Sequence, residues 1–143
     1  MIWLNPETVT LGAVTLTNVV SVAIDRQGRR TVSQYTDLGR YSAFLDVPEQ
    51  KVTVRIVRRI TESEGTTIRP GDKLTLGVRA SAGQSAAGVR KTSATVVILS
   101  VENSLSARGA GGNGGATQRI TAEAVSTDGA ADPVTVTSVT GEV

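Results

Sequence analysis

The stretch KVTVRIVRRI at 51–60 carries Val52, Val54, Ile56 and Ile60 on one face. Lys51, Thr53, Arg55 and Arg59 point the other way, with Val57 among them. A period of two marks a strand with one side on a core and the other polar. The pattern recurs. In TNVVSVAIDR, Val20, Val22 and Ile24 share a face. In KLTLGVRA, Leu74, Leu76, Val78 and Ala80 oppose Lys73, Thr75 and Arg79. In TQRITAEAVS, Ile120, Ala122 and Ala124 oppose Thr121 and Glu123, and VTVTSV at 134–139 alternates again. The segment ATVVILSVENSL, 94–105, is apolar on both faces at its start. It reads as a central strand, or as one packed against a second surface.

Turn chemistry separates these runs. DRQGR at 25–29 predicts a short hairpin turn at Gly28, and RPGD at 69–72 a tight turn. SAGQSAAG at 81–88 reads as a small-residue loop or a loop with a helical turn, and STDGAADP at 126–133 as a turn or loop. TDLGRYSAFLDVP breaks the alternation, because Leu38, Tyr41, Phe44 and Leu45 fall at helical spacing with Asp37 in a capping position. Pro48 would stop whatever precedes it and Gly39 weakens a helix, so strand (41–47) or irregular structure is favoured, with a short helix as the alternative. No repeat and no linker divides the chain. A single β domain is expected over 1–143, with an N-terminal arm at 1–10 and a glycine-rich loop at 107–119.

Composition narrows the chemistry. Aromatics are 3% of 143 residues, so the core must come from Val, Ile, Leu and Ala. The net charge of +2 is small, and the basic residues are spread along the chain, which disfavours a dedicated nucleic-acid patch. There is no Cys and no His. That removes disulfides, thiol nucleophiles, histidine bases and the commonest zinc ligands together. MIWLNPETVT lacks the order of a secretory signal, and VVIL at 96–99 is far too short to span a bilayer. No membrane partner is expected.

ARGAGGNGGATQR at 107–119 holds five glycines. Gly109 and Gly114 have the spacing of a phosphate loop, but Gly115 and Ala116 stand where Lys and a hydroxyl residue are needed. The following residues alternate like a strand rather than opening a helix. The stretch therefore reads as a loose inter-strand connection that a neighbouring chain would have to order. Its candidate contact residues are Arg108, Gly111, Gly112, Gly114 and Gly115. The acids Glu62 and Glu64 lie in a polar turn, Asp46 and Glu49 lie close together, and Asp128 and Asp132 flank Gly129 as turn acids do. None makes a catalytic or metal motif, no GxSxG occurs, and no cofactor is implied. The chain reads as a non-enzyme. Arg55, Arg58 and Arg59 share a strand with Lys51, as a solvated face or as an interface or channel wall. The candidate interface or lumen residues are Lys51, Arg55, Arg59, Glu62, Glu102 and Glu123.

The order VTLGAVTLTNVVSVAIDR, YSAFLDVPEQKVTVRIVR, RPGDKLTLGVRAS, ATVVILSVENS and ITAEAVSTDGAADPV resembles bacteriophage tail tube proteins over roughly residues 10–140. DVPEQKVTVRIVR and AVSTDGAADPV are its clearest pieces. The resemblance implies an all-β fold of two packed antiparallel sheets, a sandwich or barrel, often with a flanking helix. It implies hexameric rings stacked into a hollow tube, with inner strands joined into one ring-wide barrel around a lumen. Genomic DNA would pass through without sequence-specific binding. Further partners would be sheath, tape-measure or terminator proteins. The protein would be made in the bacterial cytoplasm and reside in the virion. The chain departs from the family in lacking a strong amphipathic helix. Two other readings stand beside this one: another ring protein of the tail or baseplate, and a β-sandwich binding module such as an adhesin or carbohydrate-binding domain.

Overall fold

The computed structural model describes residues 2–4, 8–60, 68–80, 90–105 and 116–138. Nine strands occur among them: β1 (Ile2–Leu4), β2 (Thr8–Leu11), β3 (Val14–Leu16), β4 (Val19–Tyr35), β5 (Ser42–Ile60), β6 (Lys73–Ala80), β7 (Arg90–Leu105), β8 (Ala116–Ala124) and β9 (Val134–Ser138). There is no helix among the described residues. All pairing is antiparallel, in the order β1-β4-β5-β8-β7-β6-β2-β3, with β9 also on β7. The expected all-β architecture is present, and hydrogen bonding runs unbroken through it, so any two layers are halves of one sheet.

The burial pattern shows how that sheet closes. Val22 and Ile24 on β4, Val54 and Ile56 on β5, and Ile120 on β8 are at most 2% exposed. So are Val96 and Ile98 on β7, Leu76 and Val78 on β6, and Val9 and Leu11 on β2, and all belong to one cluster. Strands far apart in the pairing order share one core, so the sheet curls and packs its apolar face on itself. Burying each Val, Leu or Ile fully contributes about 1.5–3 kcal/mol. Val9 belongs to this core and β2 begins at Thr8, so any free N-terminal arm is shorter than the expected 1–10.

Register shifts modify the simple alternation, and two of them lie in the body of the sheet. Val19 pairs with Arg58 and Ser21 with Val57, which leaves Val20 as an extra residue. Val20 is 37% exposed while Val19 packs on the core, so Val20 does not share the face of Val22 and Ile24. On β7, Ile98 pairs with Ala122 and Ser100 with Thr121, and the extra residue Leu99 turns outward. Val101 then returns to the core side. β7 is central as expected, flanked by β6 on one side and by β8 and β9 on the other.

The turn expected at 25–29 is not there. β4 runs on through Gly28, which pairs with Gln50 on β5. A Cβ on Gly28 would lie 2.8 Å from a methyl of Val47, so glycine here permits close strand crossing rather than a reversal. Residues 26–35 and 42–50 thus form a long two-stranded arm. The reversal comes at 36–41, and Ser42 onward is strand, as the pattern favoured over a helix. RPGD does form a tight turn: the Asp72 N–H donates to the Arg69 carbonyl, and Gly71 takes φ +94°. The glycine-rich connection is shorter than 107–119, because Ala116 to Arg119 already lie in β8. Residues 107–115 and 81–88 lie outside the described residues.

One end of the core is polar. Arg58 is 4% exposed and its Nε donates to Oε1 of Gln118 at 2.7 Å. Gln118 Nε2 in turn donates to Oδ1 of Asn103 at 3.1 Å. The three residues sit directly opposite one another on β5, β8 and β7, so the register aligns the chain of bonds. An inserted Leu would fill the space of Gln118 but take away the acceptor of the buried Arg58 Nε, while the exposed Asn103 could turn to water. Gln118→Leu should therefore destabilise the fold by about 1–3 kcal/mol in urea unfolding. An unchanged midpoint would mean the bonds contribute nothing.

Candidate assembly surfaces

The face opposite the core on β4, β5, β8 and β7 is a charged lattice. Register places Ala23, Arg55, Thr121 and Ser100 in one row across the four strands. Ser21, Val57, Arg119 and Glu102 form the next row. Asp25, Thr53, Glu123 and Val97 form a third. Lys51, Arg55, Glu102 and Glu123, singled out in the sequence, are thus brought onto one surface, with the exposed Arg59 on the same side of β5. Glu62, Arg108, Gly111, Gly112, Gly114 and Gly115 lie outside the described residues.

Within the subunit, Arg55 pairs with Asp25 at 3.3 Å and Lys51 lies 4.0 Å from Glu123. Asp25, Arg119 and Thr121 complete the surface and escaped the sequence reading. The local pattern DRQGR places Asp25 in a turn, and only the register of β4 on β5 brings it beside Arg55. Acids and bases alternate across this face, so it presents no single-sign field. Opposite charges on neighbouring strands give local pairs worth about 0–1 kcal/mol each.

The second surface is the arm. Tyr35 is 67% exposed, Tyr41 81%, Phe44 51%, Leu38 97% and Leu45 63%. Three of the four aromatic residues of the chain are therefore on one exposed element. β8 stops pairing with β5 at Val52, and β1 pairs with β4 only at 21–23, so the arm beyond is a bare ribbon among the described residues. A two-stranded ribbon is marginal alone, and an apolar tip is costly in water.

At the root of the arm lies the 125–133 segment. β8 and β9 both pair with the same side of β7, Ala124 opposite Val96 and Val134 opposite Ala94. The Val125 N–H continues the ladder to the Thr95 carbonyl at 2.8 Å. The segment is therefore an excursion looped out of one strand line. Asp128 Oδ1 accepts the N–H groups of Ala130 and Ala131, both at 2.9 Å, and the Ser126 hydroxyl at 3.1 Å. Asp132 Oδ1 accepts the Val134 N–H and pairs with Arg26, both at 3.0 Å. These oxygens organise the loop, which accounts for both acids as turn formers.

Similarity to other proteins can now be set beside this geometry. No protein-family model matches the chain, and no curated protein matches it in sequence. Among solved structures, a chain of an extracellular contractile injection system, the PVC sheath–tube complex in its extended state, superposes with a TM-score of 0.61. The fold is shared. At 16% identity, the match covers 92% of this chain and 88% of the other, so the likeness extends over the whole architecture and not one motif.

The loop carboxyls provide a titration test. Backbone N–H groups of Ala131 and Ala130, then the Ser126 hydroxyl, hold Asp128 below the ordinary 3.8. For Asp132 the Arg26 hydrogen bond is the main cause, followed by the Val134 N–H. A carboxyl depressed in the folded state stabilises fully above its unfolded pKa, and the contribution fades as pH falls through the folded value. Asp132→Asn should lower the melting temperature by about 1–3 °C near pH 6. The difference should shrink as pH falls below the ordinary 3.8 and through the lowered folded-state value, where the native carboxyl is protonated. A gap independent of pH would contradict this assignment.

Proposed function

We propose that this chain is a structural subunit that assembles with its own copies into hexameric rings stacked as a tail-type tube. The observation that carries the reading is the exposed arm, with Tyr35, Tyr41, Phe44, Leu38 and Leu45 held away from the subunit's own core. An element of this kind needs a second surface to cover it, and a repeated copy of the same chain supplies one at every position of a closed ring. A fold shared with a chain of a sheath–tube complex supports the same conclusion.

The charged lattice suits a wall of the channel. Its acids and bases are nearly balanced, so a passing polyanion such as genomic DNA meets neither strong attraction nor strong repulsion. In this reading the tube belongs to a phage virion, and its outer contacts are with sheath and terminator proteins. The work is mechanical, without a catalytic step.

Replacing arm side chains tests the assignment. The double variant Tyr41→Ser with Phe44→Ser removes apolar area from an element outside the core, so the subunit should keep its melting temperature. In sedimentation velocity the native chain should appear as rings and longer stacks, and the variant should shift to the monomer by at least tenfold in assembly concentration. That shift corresponds to about 1.4 kcal/mol per interface. A native chain that stays monomeric at high concentration would refute the proposal. Unimpaired assembly of the variant would remove the arm from the contact.

A further inference from the structure

We propose that the 126–133 excursion is a brace for the arm, and that the Arg26–Asp132 ion pair is its catch. The brace acts within one subunit and does not depend on assembly.

The argument starts where the sheet thins. Arg26 pairs with Val52, the last β5 residue opposite β8, so four strands become two at this point. A ribbon leaving a curled sheet there has one weak bending line. The excursion rises from the strand line beside it, since Val125 is still on the ladder and Val134 rejoins it. Between the two lies a cleft of about 580 Å³, bordered by Arg26, Pro48 and Gln50 on the arm side and by Ser126, Ala130 and Pro133 on the loop side. The cleft leaves the arm room to move.

Across that cleft Arg26 Nη1 meets Asp132 Oδ1 at 3.0 Å. Asp132 is also held by a contact that does not involve the arm, because the same oxygen accepts the Val134 N–H. The rest of the loop is stiffened by Asp128 and by Gly129 at φ +82°, whose N–H donates to the Ser126 hydroxyl. A preset acceptor lowers the entropy cost of the pair. Lys51 and Glu123 add a longer tie of 4.0 Å at the same root. Register shifts between Gly28 and Arg30 and between Arg30 and Val32 lie just beyond the catch, so the ribbon deforms distal to it while the root stays put. The result is an arm presented in one direction.

The absence of native cysteine makes the test direct. Spin labels are placed through Gln34→Cys on the arm and Lys91→Cys on β7 in the full-length chain, and the distance distribution is measured at low protein concentration. The native background should give one narrow peak. Arg26→Gln and Asp132→Asn should each move population into a broader distribution, by about fivefold in the ratio of the two, the most that an exposed pair supplies. Asp132→Asn keeps an oxygen for the Val134 N–H, so the loop stays folded. The two changes together should broaden the distribution no more than either alone. About 1 M salt should have a similar effect on the native background. Unchanged distributions in the single variants, or additive broadening in the double, would overturn the brace.

Discussion

Among the described residues no helix covers the sheet, so the sheet has to cover itself. From β4 around to β2 the strands place Val, Ile, Leu or Ala on the same side, and that side is buried in one cluster. Curvature is therefore required rather than incidental. The bulges at Val20 and Leu99 belong to this constraint, because each adds a residue on the outer side of a long strand and increases local twist. The Arg58–Gln118–Asn103 chain ends the apolar interior with groups that satisfy one another. Register slippage by one residue would expose the core set and break these bonds together.

Whatever that closed body cannot reach becomes surface with a purpose. β4 and β5 are far longer than the strands that flank them, so their distal halves leave the core behind. Tyr35, Tyr41 and Phe44 sit there, while the buried cluster is built from aliphatic side chains. In the proposed tube subunit, the arm with its apolar tip, the charged face of mixed sign and the stiff loop at the arm root would meet identical neighbours.

The strands themselves were legible because one-sided burial writes a period of two into the chain. β6, β8 and the 51–60 half of β5 could be read almost residue by residue. Three features were not. Gly28 lies among polar residues as turn glycines do, and nothing local reveals that Val47 crosses close to it. Val20 fits the alternation perfectly and fails only because a bulge inserts beside it. Arg58 reads as one of several strand arginines, and its burial depends on the partner strand that brings Gln118 opposite. The charged face was half legible: Lys51, Arg55, Glu102 and Glu123 were found as types, while their neighbours Asp25 and Arg119 required the pairing of strands distant in sequence. The arm's apolar residues were visible, but their helical spacing concealed that they stand on a ribbon.

The most direct test of a self-assembling tube subunit is electron microscopy of the purified full-length protein, imaged in negative stain over a range of concentrations. The account predicts rings of uniform diameter with a stain-filled centre, and at higher concentration hollow tubes with a regular axial repeat and sixfold end views. A field of small, separate particles at every concentration would contradict it.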